Sequence, residues 1–327
     1  MRLKALAACC AALTAAVCAL SGCSSQEPYS PPEPTPTVSS PAIGQDGVLR
    51  VGVNSSAAPL AGTNSVGDLV GYDVDLAAAL ADELGLKVEV VDVGATFETA
   101  LEDGDVDVVL GVEEGSASKE VWESDPYLQT AVALFSDDAN AQVPTADSSP
   151  VIAVQTSSTS SWMAENEFGA EALERVSGLS EAFETMASGG ADYVAADAVR
   201  GVYAQSGSEG SQATIVALMQ QPSGYCIALL DSNTELKQAV ADALSSLVDG
   251  GMVNILNKKW LGQDWNLDGV PLTAGATATP TDKDAEGGDS ADAEADGASE
   301  GDAADGGSDT AGEGDVGENA LSPSDLA

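Results

Sequence analysis

The chain has 327 residues, of which 44% are hydrophobic and 4% aromatic, with no histidine and a formal charge of −42 at pH 7. Fifteen acidic residues and one lysine from 271 onward supply −14 of that charge, leaving −28 on the rest. A surface this acidic argues against nucleic acid or an anionic lipid face as partner. The lack of histidine removes Ser-His-Asp and histidine-zinc hydrolase chemistry.

Arg2 and Lys4 precede an apolar run from Ala5 to Leu20, too short to span a membrane with margin. Leu20-Ser21-Gly22-Cys23 follows. This is the layout of a secretory signal, and its end resembles a bacterial lipobox. That resemblance implies cleavage after residue 22, lipidation of Cys23 and attachment to the outer face of the cell membrane, two acyl chains giving lasting attachment. Cys226 is then the one thiol left in the mature domain, and its apolar run Cys226–Leu230 predicts a buried structural thiol. Residues 23–46 contain six prolines and predict an extended spacer.

Roughly 220 residues follow, enough for one domain or two small lobes. Leu49–Val53 reads as a buried strand. Asp73–Leu84 carries Leu76, Leu80 and Leu84 on one helical stripe, with Asp73 as the expected N-cap and Gly85 as the stop. Strands are predicted at Lys87–Val93, Val106–Val112, Val132–Phe135, Val151–Val154, Tyr193–Ala196, Ile215–Leu218 and Ile227–Leu230. Helices are predicted at Phe97–Glu102, Thr159–Phe168, Glu181–Ser188, Thr234–Asp249 and Val253–Trp260. Strands alternating with helices predict an α/β class with a largely parallel sheet. From 271 the chain is Gly, Ala, Asp, Ser, Glu and Thr with almost no large apolar residue, which predicts disorder.

The order of segments resembles bacterial extracellular solute-binding proteins, family 3. The similarity is carried by Leu49–Val53, by Leu69-Val70-Gly71-Tyr72-Asp73-Val74-Asp75-Leu76-Ala77, and by the Gly–Asp-Val-Asp step within Leu101–Leu110. It continues through Ser124-Asp125-Pro126-Tyr127, Ala153–Thr159, Ser188–Asp197 and the closing Lys259-Trp260-Leu261-Gly262. The resemblance implies a two-lobed periplasmic-binding-protein-like fold (type II) with two crossover strands and a central cleft. Residues 47–134 plus 226–262 would form the first lobe and 135–225 the second, with an acidic tail over 263–327.

The resemblance implies a solute-binding protein, not an enzyme, that works as a monomer without cofactor or metal. It would deliver an amino acid or similar small polar solute to an ABC permease. Asp197 is expected to hold a ligand ammonium, or alternatively to cap a helix. Ser158 and Thr159 are expected to face a carboxylate from a helix start, or alternatively only to cap that helix. Asn54 stands where the family usually has an Asp, and Ala57 where it has an aromatic. The family's Arg has no counterpart, Lys119 being the nearest cation. Glu113 and Glu114 stand where small hydroxyl residues are usual; at a cleft strand end they would favour a cationic solute, or alternatively they belong to a solvated loop. Two other functions compete: a sensor or interaction module with a degenerate cleft, and a dehydratase-like enzyme with Glu114 as general acid.

Overall fold

The computed structural model describes residues 35–138, 140–206 and 213–277. The signal segment, Cys23, the start of the spacer and the acidic chain beyond 277 lie outside the described residues.

The first lobe opens with β1 (Val48–Val53), the small hairpin β2 (Gly62–Thr63) and β3 (Leu69–Val70), and α1 (Tyr72–Glu83). It continues through β4 (Lys87–Asp92), α2 (Phe97–Glu102), β5 (Val108–Glu113), β6 (Val121–Glu123) and β7 (Leu128–Thr130). The second lobe holds β8 (Val132–Ser136), β9 (Ile152–Gln155), α3 (Thr159–Phe168), β10 (Leu173–Val176) and α4 (Leu179–Ala187). It ends with β11 (Tyr193–Asp197), α5 (Ala198–Ser206) and β12 (Thr214–Leu218). The chain returns to the first lobe with β13 (Ser223–Leu230), α6 (Thr234–Asp249) and α7 (Met252–Leu261), and the short α8 (Ala274–Thr277) comes last.

The first sheet has the order β4-β1-β5-β13-β6 with β7 alongside β13, and the second has β10-β9-β11-β8-β12. Pairings of β1 with β4 and β5, and of β9 with β10 and β11, are parallel. The expectation of largely parallel sheets fails at the crossovers. β13 runs antiparallel to β5, β6 and β7, and β8 runs antiparallel to β11 and β12. These strands enter from the opposite lobe through short links, so no helical crossover turns them parallel. The lobe boundaries expected at 134 and 225 move to Ala131 and to residues 219–222, because all of β8 pairs in the second sheet and β13 starts at Ser223 beside β7.

Leu76 and Leu80 of α1, with Leu84, form the predicted stripe and meet Leu236, Val240 and Leu244 of α6 and Trp260 of α7 in the first core. Full burial of each leucine contributes about 1.5–3 kcal/mol. The second lobe packs Phe135 edge-on against Phe183 at 5.3 Å. Each lobe pins the start of a parallel strand, β1 in the first and β9 in the second, in the same way. Asp107, just before β5, accepts Arg50 N at 2.9 Å and pairs with its guanidinium at 2.6 Å. Asp192, just before β11, accepts Val151 N at 2.9 Å. The two Asp steps of the sequence are therefore structural locks.

Three expectations are corrected. Asp73 is not an N-cap: Gly71 holds that place, and Asp73 lies buried inside the first turn of α1. Part of the spacer packs: Val38 and Ile43 are buried in the first core and Thr37 N donates to the Leu84 carbonyl. The tail expected from 263 begins later. Trp265 Nε1 donates to the Gln129 carbonyl at 2.8 Å, Leu267 is buried in the second lobe, and Thr273 N bonds the Leu218 carbonyl. Sparse anchors among Pro, Gly and Thr carry no periodicity, so composition hid them. Cys226 is buried as expected, and burial pushes its thiol up to about 12.

Candidate functional site

A cleft of about 430 Å³ opens where the carboxyl ends of β5, β9 and β11 meet the crossover strands. That position is where open α/β sheets present ligand sites, and the volume suits a small solute.

The second-lobe wall begins at α3. Ser157 turns the chain with φ 60°, and Ser158 caps the helix. The Ser158 hydroxyl accepts Ser161 N at 3.0 Å and donates to the Gln155 carbonyl at 2.8 Å. Capping leaves the N–H groups of Thr159 and Ser160 without an intrahelical acceptor, and both residues line the cleft. Arg175 steadies the helix from behind through Ser161 at 2.6 Å and Glu165 at 2.7 Å.

Asp197 ends β11 on the same wall. It accepts Arg200 N at 2.9 Å, Tyr225 OH at 3.2 Å and the Thr130 hydroxyl. Burial raises its pKa, and these donors with the Arg200 charge pull the other way. The carboxylate therefore caps the start of α5 and also ties the second lobe to both crossover strands.

On the first-lobe wall, Asn54 follows β1 and closes an Asx turn onto Ser56 N at 3.0 Å. Glu113 ends β5; burial raises its pKa, Asp197 adds to the rise and Arg200 opposes it. The floor is Gly111, with φ 78°, where an added Cβ would lie 2.6 Å from Asp73 Oδ2. Gly111 N donates to the Tyr127 hydroxyl oxygen at 2.8 Å, and that hydroxyl donates to Asp73 Oδ1 at 2.6 Å. Among the described residues, no group of three or more His, Cys, Asp or Glu is placed to hold a metal ion.

Residues 49–263 match the family described as bacterial extracellular solute-binding proteins, family 3. The chain belongs to this family. An ancestral cationic amino acid solute-binding protein is 28% identical, with a TM-score of 0.57, covering 66% of this chain and 96% of that one. The L-cystine solute receptor of Neisseria gonorrhoeae, in its unliganded open conformation, is 25% identical with a TM-score of 0.57, covering 67% and 94%. A polar amino acid uptake substrate-binding protein from Streptococcus thermophilus, 18% identical with a TM-score of 0.57 over 67% and 87%, shares the fold.

In this family 3 solute-binding protein, the fold brings Asn54, Ser158, Thr159 and Asp197 together around the cleft. It does not bring in Lys119 or Glu114. Lys119 is exposed on the loop before β6, and Glu114, one residue beyond β5, falls outside the lining that takes its neighbour Glu113. The dehydratase reading thereby loses its proposed acid from the cleft. Sequence reasoning missed Arg200 and Tyr225, which line the cleft beside Asp197. The Asp197-x-x-Arg200 spacing was a usable signal: three residues on, at a helix start, returns to the same end of the helix.

Proposed function

We propose that this protein captures an amino acid or similar small polar solute in its interlobe cleft and delivers it to an ABC permease. Acylated Cys23 would hold it, as a monomer, at the outer face of the cell membrane. The observation that carries the reading is the placement of Asp197 and the α3 N-terminus on one wall of the same cleft. The free N–H groups of Thr159 and Ser160 suit a carboxylate, and Asp197 suits an ammonium. Asn54 adds an amide from the opposite lobe. Bending at Ala131 and at residues 219–222 would then close the lobes around the solute. The names of two of the relatives at 25% identity or more, for cationic amino acids and for L-cystine, support an amino-acid-type solute.

The test is calorimetric titration of the protein with the proteinogenic amino acids, ornithine and putrescine. Saturable one-to-one binding of at least one is expected, and loss of its cellular uptake when the chain is deleted. No binding across the panel would refute the reading.

A further inference from the structure

The charged residues of the cleft lining are Glu113, Asp197 and Arg200. Glu113 and Tyr225 are register partners across β5 and β13, so their side chains leave the sheet on the same face. Tyr225 OH reaches across to Asp197 at 3.2 Å. Glu113 therefore stands beside the residue that bridges to Asp197, one carboxylate on each lobe. Three donors already occupy Asp197. The Glu113 carboxylate is engaged by no hydrogen bond or ion pair among the described residues, and it keeps its acceptor sites for a guest.

We propose that Glu113 determines ligand specificity, selecting a solute with a side-chain ammonium or guanidinium, that is, a cationic amino acid. This rests on the capture function proposed above and narrows its substrate class. The cleft offers two positive features, Arg200 and the α3 N-terminus, which suffice for one carboxylate. It offers two negative side chains, which suit an α-ammonium and a second cation. A zwitterion would leave the three charged side chains with a net −1, whereas a cationic amino acid neutralises it. The electrostatics agree: burial and the facing Asp197 hold Glu113 above its usual range, and Arg200 offsets this in part. The strain is relieved when a cation enters between the two carboxylates. Closure on a neutral guest would bring like charges together unscreened, and closure on a cation would not.

The experiment titrates the full chain, parent and variants, with L-arginine, L-lysine, L-glutamine and L-glutamate. The parent should bind arginine or lysine at least tenfold more tightly than glutamine. Glu113 is exposed in the open cleft, and once closure desolvates it, Glu113→Gln should weaken the cationic ligands by roughly thirtyfold or more. It should leave glutamine affinity within about threefold, so the preference collapses. Glu113→Asp, which keeps the charge, should retain the preference. Melting of the unliganded Gln variant should match the parent, since no bond is lost. An unchanged preference in Glu113→Gln overturns the inference. So does a parent that binds glutamine but neither cationic ligand, and in that case the capture function stands. A parent that binds no amino acid overturns both.

Discussion

Asp73→Asn is the substitution with the clearest pH signature. The Asp73 side chain is 1% exposed and accepts the Tyr127 hydroxyl at 2.6 Å. Burial pushes its pKa from 3.8 up to about 7, against that hydrogen bond. Between these values the folded chain holds a proton that the unfolded chain has lost. The contribution is fully present below the unfolded pKa and falls as pH rises through the folded one. Three units at about 1.4 kcal/mol each correspond to about 4 kcal/mol. Asp73 also lies in the first turn of α1, where the helix N-terminus favours the charged form by about 0.3–1 kcal/mol. About 3 kcal/mol remains. Asparagine keeps an acceptor for Tyr127 and cannot ionise. Urea unfolding of parent and Asp73→Asn from about pH 4 to pH 8 should show the variant gaining on the parent as pH rises, by about 3 kcal/mol, and levelling off above the folded pKa. A stability difference that stays flat within about 0.5 kcal/mol across that range would refute the buried, proton-holding carboxyl.

Three further outcomes follow from the ends of the chain. Leu267→Ala should cost about 2–5 kcal/mol by opening a cavity in the second core. Ending the chain after Gly262 should cost more, since it also removes Trp265 and the Thr273 bond to Glu167 at 2.8 Å. An unchanged melting temperature in the truncated chain would show that residues 263–277 do not pack. Cys23→Ser should release the protein from cells into the medium, and a variant as membrane-bound as the parent would sink the lipobox reading.

Most of the fold was legible because strands buried on both faces read as unbroken apolar runs, as in Val108-Val109-Leu110 and Ile152-Ala153-Val154. The missed strands are short and partly exposed. β6 is Val-Trp-Glu, β7 is Leu-Gln-Thr and β10 is Leu-Glu-Arg-Val, and each is defined by the partner it meets. α5 was foreseen only at its start, through the possible cap at Asp197, and its extent was missed for a packing reason. Gly201 weakens its helical signal, yet a Cβ there would sit 2.4 Å from Phe135 Cζ. The second core needs that glycine more than the helix needs an alanine.

The site was legible in part, and strand alternation explains the division. Glu113 and Glu114 are adjacent in sequence, and the sequence reading favoured Glu114 as the site residue. On a pleated strand, neighbours point to opposite faces, so only one of them can share a face with Tyr225, and the register gives that place to Glu113. Of the two readings posed for Asp197, the geometry shows the helix cap, and the ligand contact belongs to the function proposed above. A carboxylate at a strand end that runs directly into a helix caps that helix with one oxygen, here onto Arg200 N. Its other oxygen accepts the hydroxyls of Thr130 and Tyr225. Capping holds the group rigid, and rigidity is what a recognition carboxylate requires. It follows that Asp197→Ala disturbs the hinge strands, the start of α5 and the cleft together, so a loss of binding in that variant identifies no single role. Glu113, which supports nothing else, is the side chain through which the chemistry of the cleft can be read separately from its fold.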